Sequence, residues 1–304
     1  MSRGRRTALA ALAALACGGC SPPDEIVLAI STDLSLPKDF DVLQVQVFEG
    51  GTGKFDSAYE RLGDSEPGAR LPATIGFYSA SGGGESITIK VSARVQDALG
   101  PVRILREAVT KIPKNRVALL TLPLNFLCDD SGSSEGSGDV ESTLCEEGQT
   151  CVAGACVSKT IDASALPDYW SGNVYGGGKG EGDGDCFDVT ACFKDAKPVE
   201  VDTAACTIEG DATTNVALET TSHDGICDDD DDPDSRCLVA LDAGSADGFQ
   251  VGADGRIQLP LAVCGRMADR IAAVVTSSAT AACPQKAAGL PTCGPWSASG
   301  SKEP

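Results

Sequence analysis

The sequence predicts an all-β, disulfide-rich protein. Apolar and polar residues alternate with period two between residues 24 and 127, and glycine- and proline-rich turns separate the alternating segments. Of the 14 cysteines, 12 lie at or after Cys128. We therefore expect an N-terminal antiparallel β-sandwich, a small disulfide knot, and a second disulfide-rich domain built as a β-sandwich or jelly roll.

The first 20 residues have the pattern of an export signal that ends in a cysteine. Three arginines precede an apolar run, residues 8–16, which is too short to span a bilayer. Small residues then lead into Cys17 and Cys20, as in bacterial lipoprotein signals. In such signals the cysteine is diacylated and becomes the mature N-terminus. We expect residues 1–20 to supply a signal and a lipid anchor.

Two cysteines compete for the lipid. Residues 13–16 before Cys17 fit the lipoprotein cleavage motif better than residues 16–19 before Cys20. Parity favours Cys20, because cleavage there leaves 12 cysteines that can all pair. We favour Cys17 on side-chain fit and keep both as candidates. The alternative is an ordinary secretory signal in which both cysteines are incidental.

The expected mode of attachment is a lipid anchor without a membrane span. A single acyl chain binds a membrane only marginally, whereas bacterial lipoproteins carry more than one chain. No later segment approaches 18 consecutive apolar residues. Neither Gly18 nor Ser21, the residues after the two candidate cysteines, is the Asp that retains Gram-negative lipoproteins in the inner membrane. We expect the outer membrane or the cell surface.

Charge divides the mature chain into two unlike halves. Residues 21–127 have a net charge of −2, whereas residues 128–304 have a net charge of −21. An acidic surface repels phosphate backbones, so nucleic-acid binding is disfavoured, and cationic partners or divalent ions are favoured. The simpler interpretation is that acidity keeps an exported protein soluble.

Residues 21–127 are predicted to form the first domain. Their regular strand spacing favours a sandwich of immunoglobulin or transthyretin type. The longest helix-compatible stretch, residues 56–62, is too short to change this prediction. The predicted strands are Glu25–Ile30, Leu43–Val47, Thr74–Tyr78, Ile87–Val95, Val102–Val109 and Arg116–Leu122.

Residues 128–165 are predicted to combine a linker with a knot. The tract 129–143 is rich in glycine, serine and acids and offers almost nothing to bury. Four cysteines lie in residues 128–156, in and around this tract. We expect these four cysteines to pair among themselves, which three disulfide connectivities would allow. The four cysteines are Cys128, Cys145, Cys151 and Cys156.

Residues 166–296 are predicted to form the last domain, followed by a tail at 297–304. Strands are expected at 170–175, 186–193, 199–208, 216–220, 238–241, 256–263 and 271–276, with a helix compatible with 263–270. Eight cysteines should pair within this domain, as is typical of exported chains. They are Cys186, Cys192, Cys206, Cys227, Cys237, Cys264, Cys283 and Cys293.

The layout resembles a pool of uncharacterised outer-membrane lipoproteins from high-GC Gram-negative bacteria. The matching stretches are Ser31–Pro37, Asp41–Val47 and Thr150–Val157. The resemblance covers the signal, the sandwich and the knot, and is loose in the last domain. The resemblance implies a cellular location and a domain architecture. In that pool the sandwich often precedes another module, which is sometimes an enzyme.

The acidic loop at residues 224–234 is the strongest candidate for a metal site. Calcium takes six to eight oxygen ligands, and extracellular sites bind it in the range of ~10⁻⁴–10⁻³ M. The loop resembles one degenerate copy of a thrombospondin type 3 calcium repeat. The alternative is a solvated acidic loop closed by Cys227 and Cys237. The candidate ligands are Asp224, Asp228, Asp229, Asp230, Asp231, Asp232 and Asp234.

No motif identifies a reaction. His223 is the only histidine and lies in a polar loop sequence, and a lone loop histidine is rarely catalytic. Trp170 and Trp296 could stack on sugars or belong to the core. We expect a membrane-anchored, exported lipoprotein that binds or adheres without catalysis to a protein or glycan partner, with calcium as the candidate cofactor. The alternative is a lipid-anchored extracytoplasmic hydrolase that uses carboxylates.

Overall fold

The computed structural model describes residues 22–63, 68–79, 82–134, 140–178, 184–267 and 269–300. The export signal, with Cys17 and Cys20, lies outside the described residues. Within them the protein is built from strands and only two short α-helices, so the all-β prediction is confirmed. None of the helices in this described part is long and apolar enough to cross a membrane.

The first seven strands form a β-sandwich of two sheets. Their strand orders are β4-β1-β7 and β3-β2-β5-β6. Neighbouring strands are antiparallel, as predicted, with one exception: β1 and β7 run parallel. The strands are β1 (Glu25–Ile30), β2 (Val42–Glu49), β3 (Thr52–Glu60), β4 (Ala73–Tyr78), β5 (Ser86–Arg94), β6 (Val102–Lys111) and β7 (Val117–Thr121).

Strand β3 occupies the stretch that the sequence made compatible with a helix. Gly50 and Gly51 both have positive φ and turn the chain tightly after β2. The side-chain amides of Gln44 and Gln46 then donate to the two carboxylate oxygens of Asp56, each at 2.9 Å. Cross-strand pairing therefore overrides the weak local preference for helix.

The core between the two sheets is aliphatic. Ile26, Leu28 and Ile30 of β1 are fully buried and face Val45 of β2 and Ile89 of β5. This follows from period-two alternation, because every second side chain of a strand points to the same face. Each such side chain contributes about 1.5–3 kcal/mol on burial, so the sandwich needs no covalent support.

The glycine- and serine-rich tract is structured at both ends. β8 (Gly132–Ser134) pairs with β9 (Val140–Ser142), and Val140 packs with Val102 and Leu105 of β6. A Cβ at Gly132 would lie 2.6 Å from Val102, so only glycine allows this close approach. The prediction of a linker over 129–143 is therefore wrong at these ends, while residues 135–139 lie outside the described ones.

The knot is a disulfide-bonded hairpin. β10 (Gln149–Val152) and β11 (Ala155–Ser158) join through a two-residue turn in which both residues have positive φ, as a type I′ turn requires. The bonds Cys128–Cys151 and Cys145–Cys156 confirm that these four cysteines pair among themselves. The Val109 amide donates to the Lys159 carbonyl at 2.7 Å, which attaches the knot to β6.

The last region has shorter elements and four disulfides. Two sheets, β14-β15-β13-β18 and β12-β17-β16, contain its strands. The disulfides pair the eight cysteines among themselves, as predicted: Cys186–Cys293, Cys192–Cys283, Cys206–Cys264 and Cys227–Cys237. The elements are α1 (Val189–Phe193), β12 (Thr207–Glu209), β13 (Thr214–Thr220), β14 (Ile226–Cys227), β15 (Cys237–Leu241), β16 (Gln250–Val251), β17 (Arg256–Gln258), α2 (Leu261–Arg266) and β18 (Ile271–Ser278).

Three predicted strands of this region were wrong. Residues 170–175 contain a 3₁₀ turn, and residues 186–193 contain α1, whose first turn is capped by the Asp188 carboxylate on the Ala191 amide at 2.9 Å. Of residues 199–208, only the end belongs to a strand, β12. Short disulfide-bonded segments satisfy few ladder hydrogen bonds, so caps and turns decide their conformation.

Both halves contribute to one hydrophobic cluster. Leu122 and Phe126 from the first half share it with Leu241 and Phe249 from the second. The segment predicted as a tail also packs here at its start: residues 297–299 are buried, and the Ala298 amide donates to the Leu71 carbonyl at 2.9 Å. The domain boundaries at 127, 165 and 296 stay predictions.

The sandwich has two unlike ends. We call one the groove end: it carries the β2–β3 turn, the connections that lead from β4 to β5 and from β6 to β7, and the start of β1. We call the other the junction end, where Lys38 and Asp39 contact the second half. The Asp39 carboxylate accepts from the Gly225 amide at 2.9 Å, and Lys38 donates to the His223 carbonyl.

Candidate functional site

A cavity opens between the two sheets at the groove end. Its volume is about 400 Å³, within the range of about 300–1,000 Å³ typical of small-molecule sites. We call it the apolar groove. Its apolar wall consists of Val47, Phe55, Phe77, Ile87 and Ile112.

The groove exists because the sheets separate at their edges. β3 is the edge of one sheet and β4 is the edge of the other, so no strand closes the gap between them. Phe55 of β3 and Phe77 of β4 bridge this gap edge to face, with ring centroids 5.8 Å apart. Both rings are only partly buried and form the side wall of the groove.

The rim of the groove is polar and partly neutralised. Lys54 pairs with Glu49 at 2.9 Å, and the Ser79 hydroxyl donates to the Glu85 carboxylate at 2.8 Å. Tyr78 stands at the rim with its side chain 75% exposed. An apolar interior with a few polar groups at the mouth is typical of ligand binding.

A cluster of ion pairs lies at the junction end. Arg103 donates to both carboxylate oxygens of Asp129, at 2.6 and 2.9 Å, and to Asp224 at 2.7 Å. Arg270 also contacts both carboxylates. Asp129 and Asp224 are 4% and 7% exposed, so this cluster joins the two halves through largely desolvated charges.

The charges within this cluster set the pKa of Asp129. Burial acts most strongly and would raise the pKa, but the hydrogen bonds and charges of Arg103 and Arg270 together outweigh it and hold the pKa below its usual value. The same carboxylates raise the pKa of both arginines. Asp129, Arg103 and Arg270 are therefore charged at neutral pH.

Asp224 does not lie with the other predicted metal ligands. Its oxygens face Arg103 and Arg270 across the junction, because ion pairing compensates the cost of burying the carboxylate. The structure thus separates Asp224 from the acidic loop that follows it in sequence.

The remaining predicted ligands form an exposed loop closed by the Cys227–Cys237 disulfide. The Asp229 carboxylate accepts from the Asp231 amide, and the Asp232 carboxylate accepts from the Asp234 amide, both at 3.0 Å. These bonds are typical of Asx turns. Calcium binding by Asp228, Asp229, Asp230, Asp231, Asp232 and Asp234 stays a prediction.

His223 lies against the disulfide at the base of this loop. Its Nδ1 is 3.2 Å from the Cys237 Sγ, and its Nε2 is 3.4 Å from the Asp230 carbonyl. Among the described residues, His223, Cys227 and Cys237 are close enough to share a metal ion, but both sulfurs are engaged in the disulfide. A disulfide sulfur lacks the thiolate charge that binds metals.

A second cavity brings carboxylates together between the halves. Asp33, Asp242 and Asp247 line it beside Lys286, whose ammonium donates to Asp242. Its volume is about 30 Å³, which is room for one or two water molecules. A sugar ring or a peptide cannot enter a space of this size.

The carboxylate of Asp33 in this cavity is strongly perturbed. Burial is the largest cause and raises its pKa to about 7. A hydrogen bond from the Phe126 amide, at 2.9 Å, opposes this shift, and the charge of Asp242 adds to it. Sequence analysis did not single out this residue, because nothing near it in the chain signals burial.

The two tryptophans have different surroundings. Trp296 is buried and belongs to the main core, so the interpretation as a core residue holds for it. Trp170 is 59% exposed, and its ring covers Gly172. The apolar groove was missed from sequence; the aromatic residues Phe55 and Phe77 on edge strands are the signal that could have indicated it.

Comparison with protein-family models, with curated proteins and with solved structures finds no match to this chain.

Proposed function

We propose that this protein is an exported lipoprotein, anchored to the outer membrane through Cys17 or Cys20, whose sandwich binds a ligand without catalysis. The observation that carries the binding role is the apolar groove, the ligand-sized cavity of about 400 Å³. Six disulfides are typical of a protein outside the cytoplasm, which agrees with the export signal.

Binding is favoured over hydrolysis by where the carboxylates lie. A carboxylate mechanism needs acids beside a space that admits the substrate. The convergent acids Asp33, Asp242 and Asp247 surround only about 30 Å³. The apolar groove, which has the space, is lined mainly by hydrocarbon and aromatic side chains, and its two acids lie at the rim, where Glu49 pairs with Lys54 and Glu85 accepts from the Ser79 hydroxyl.

Metabolic labelling with a fatty-acid analogue tests the anchor. The wild-type protein should take up the label and sediment with outer membranes. The double variant Cys17→Ala, Cys20→Ala should lose both properties, because no sulfur remains to be acylated. Label retained in the double variant would show that the anchor is not at these cysteines.

The two single variants identify the modified cysteine. We expect Cys17→Ala to lose the label and Cys20→Ala to keep it, since residues 13–16 fit the cleavage motif better. The opposite result would assign the lipid to Cys20. A matched control, Cys145→Ala with Cys156→Ala, removes a disulfide without touching the signal and should keep the label.

A further inference from the structure

We propose that the apolar groove binds one acyl chain of a phospholipid in the membrane to which the protein is anchored. This inference rests on the proposed anchor and names the ligand of the proposed binding site. Three observations support it: the position of the chain's N-terminal segment, the chemistry of the groove, and the distribution of charge.

The N-terminal segment leaves the fold at the rim of the groove. The Ser79 amide donates to the Asp24 carbonyl at 2.9 Å, and the Asn115 amide donates to the Asp24 carboxylate. The next residue, Glu25, pairs with Tyr78. Ser79 and Tyr78 both line the groove, so Asp24 is fixed directly beside its mouth.

The anchor is therefore close to the groove. A chain spans at most ~3.3–3.6 Å per residue, so a lipid on Cys20 lies within about 14 Å of Asp24, and a lipid on Cys17 lies within about 25 Å. Residues 22 and 23 are both proline, which makes the connection stiff. The groove end is held at the membrane surface, whichever cysteine is modified.

The chemistry of the groove suits an acyl chain. Its interior presents Val47, Ile87 and Ile112 as aliphatic surface, with the rings of Phe55 and Phe77 at the side. Burying hydrocarbon contributes about 0.8 kcal/mol per methylene. Tyr78 at the mouth is the kind of residue enriched at membrane interfaces, because its ring is apolar and its hydroxyl is polar.

The distribution of charge also favours an orientation with the groove end toward the membrane. Lys54, Lys111 and Lys114 lie exposed around the groove end, and the partly exposed acids Asp24, Glu49 and Glu85 balance them, so this end is close to neutral and can approach anionic headgroups. Residues 128–304 carry a net charge of −21, and Asp224 and Gly225, which precede the acidic loop, contact the junction end. An anionic surface repels that half, so the groove end turns toward the membrane.

Binding of cis-parinaric acid tests the groove independently of the anchor. The protein for this test is the mature chain from Ser21, exported behind a signal that is not lipidated. The fluorescence of the probe should rise saturably with one site per chain and a Kd on the order of 10–100 µM. A lysophosphatidylethanolamine with one acyl chain should displace the probe.

Two variants change the groove in opposite ways. Val47→Phe fills it, and Phe77→Ala removes part of its wall, so each should weaken probe binding about tenfold or more. The matched control is Leu99→Ser, which replaces an exposed apolar residue at the junction end and should leave binding unchanged. Thermal melts of each variant establish that the chain is folded.

Each outcome has a distinct meaning. Absence of saturable binding, or equal binding in the folded Val47→Phe variant, overturns the acyl-chain site even if metabolic labelling confirms the anchor. Probe binding that lysophosphatidylethanolamine does not displace overturns the phospholipid as occupant. Displacement that depends on Val47 and Phe77 supports the acyl-chain site, and wild-type protein that takes up no fatty-acid label overturns the anchoring membrane as the source of that lipid.

Discussion

The two halves of this protein reach a stable fold by different means. The sandwich of residues 25–121 contains no cysteine, and its strands are up to ten residues long, with fully buried aliphatic side chains. The last region, residues 166–300, has shorter strands and four disulfides. The comparison shows that covalent bonds substitute for continuous strands where the sequence lacks long alternating patterns.

The halves also differ in charge and therefore in the surroundings they tolerate. The sandwich is nearly neutral and exposes lysines around an apolar groove, whereas the second half is strongly acidic. They meet at the junction end through Arg103, Asp129, Asp224 and Arg270. The acidic loop at 228–234 follows Asp224 and Gly225 at the junction end and so lies away from the apolar groove, whereas Asp168 of the second half pairs with Arg116 nearer the groove end.

The largest effect is expected from removing a long-range disulfide. Cys206 and Cys264 are 58 residues apart, so the double change to alanine should lower the free energy of unfolding by about 4 kcal/mol through chain entropy. The bond Cys145–Cys156 spans only 11 residues and should cost about 3 kcal/mol. Urea denaturation of both double variants measures the difference. Equal losses would contradict the entropic account.

Breaking the junction should have the next largest effect. Arg103→Ala leaves the buried carboxylates of Asp129 and Asp224 with Arg270 alone, which should cost about 3–5 kcal/mol. Arg256→Ala is the matched control, because its pairs are exposed and should contribute less than about 1 kcal/mol. Chemical denaturation followed by circular dichroism measures both. Similar losses in the two variants would mean that the junction does not couple the halves.

Acid should weaken the same junction. The pKa of Asp129 is lower in the folded protein than in the unfolded chain, so its contribution is present above pH ~4 and is lost as pH falls through the folded value. Asp129→Asn should make the stability less dependent on pH below 4. Melting temperatures between pH 2 and 6 check this prediction. An equally steep loss of melting temperature below pH 4 in the wild type and the variant would contradict it.

Asp33 should have the opposite effect from Asp129 on how stability depends on pH. Its folded pKa of about 7 lies above the unfolded value, so the folded state holds the proton more tightly and stability falls as pH rises from about 4 to 7. We expect a loss on the order of 2 kcal/mol. Asp33→Asn keeps an acceptor for the Phe126 amide and should remove this loss. A variant that still loses stability over this pH range would exclude Asp33 as its source.

The same comparison explains what could be predicted from sequence. Period-two alternation identified six of the seven sandwich strands, because a half-buried strand needs that pattern, but it missed β3. The parallel pairing of β1 with β7 and the contact of Arg103 with Asp224, 121 residues away, depend on the tertiary arrangement and leave no local signal. In the last region, caps and disulfides override weak strand patterns, which is why three predicted strands there were wrong.

The site was harder to predict than the fold. Parity indicated that the 12 cysteines after Cys20 would pair, but four cysteines allow three pairings, so connectivity had to come from the structure. The groove arises where β3 and β4 fail to meet, and a sequence does not state which strands are edges. Asp224 was grouped with the acidic loop because it is close in sequence, although its carboxylate pairs with Arg103 of the other half and with Arg270.

An effect about as small as that of Asp33 is expected from calcium. If the exposed loop binds the ion in the range of extracellular sites, ~10 mM calcium should stabilise the protein by about 1.4–2.7 kcal/mol. The control changes Asp228, Asp229 and Asp230 to asparagine. Melting temperature over ~0.1–10 mM calcium measures the effect. The same response in the wild type and the triple variant would mean that the loop is only a solvated acidic turn.

Hydrogen exchange on vesicles tests the orientation of the two halves most directly. The lipidated protein, bound to vesicles of phosphatidylethanolamine and phosphatidylglycerol, is compared with the non-lipidated chain in solution. We expect slower exchange on vesicles in residues 47–55, 76–79 and 82–87, and no change in the acidic loop at 228–234. Unchanged exchange at the groove end, or slower exchange in the acidic loop, would contradict a membrane-facing groove.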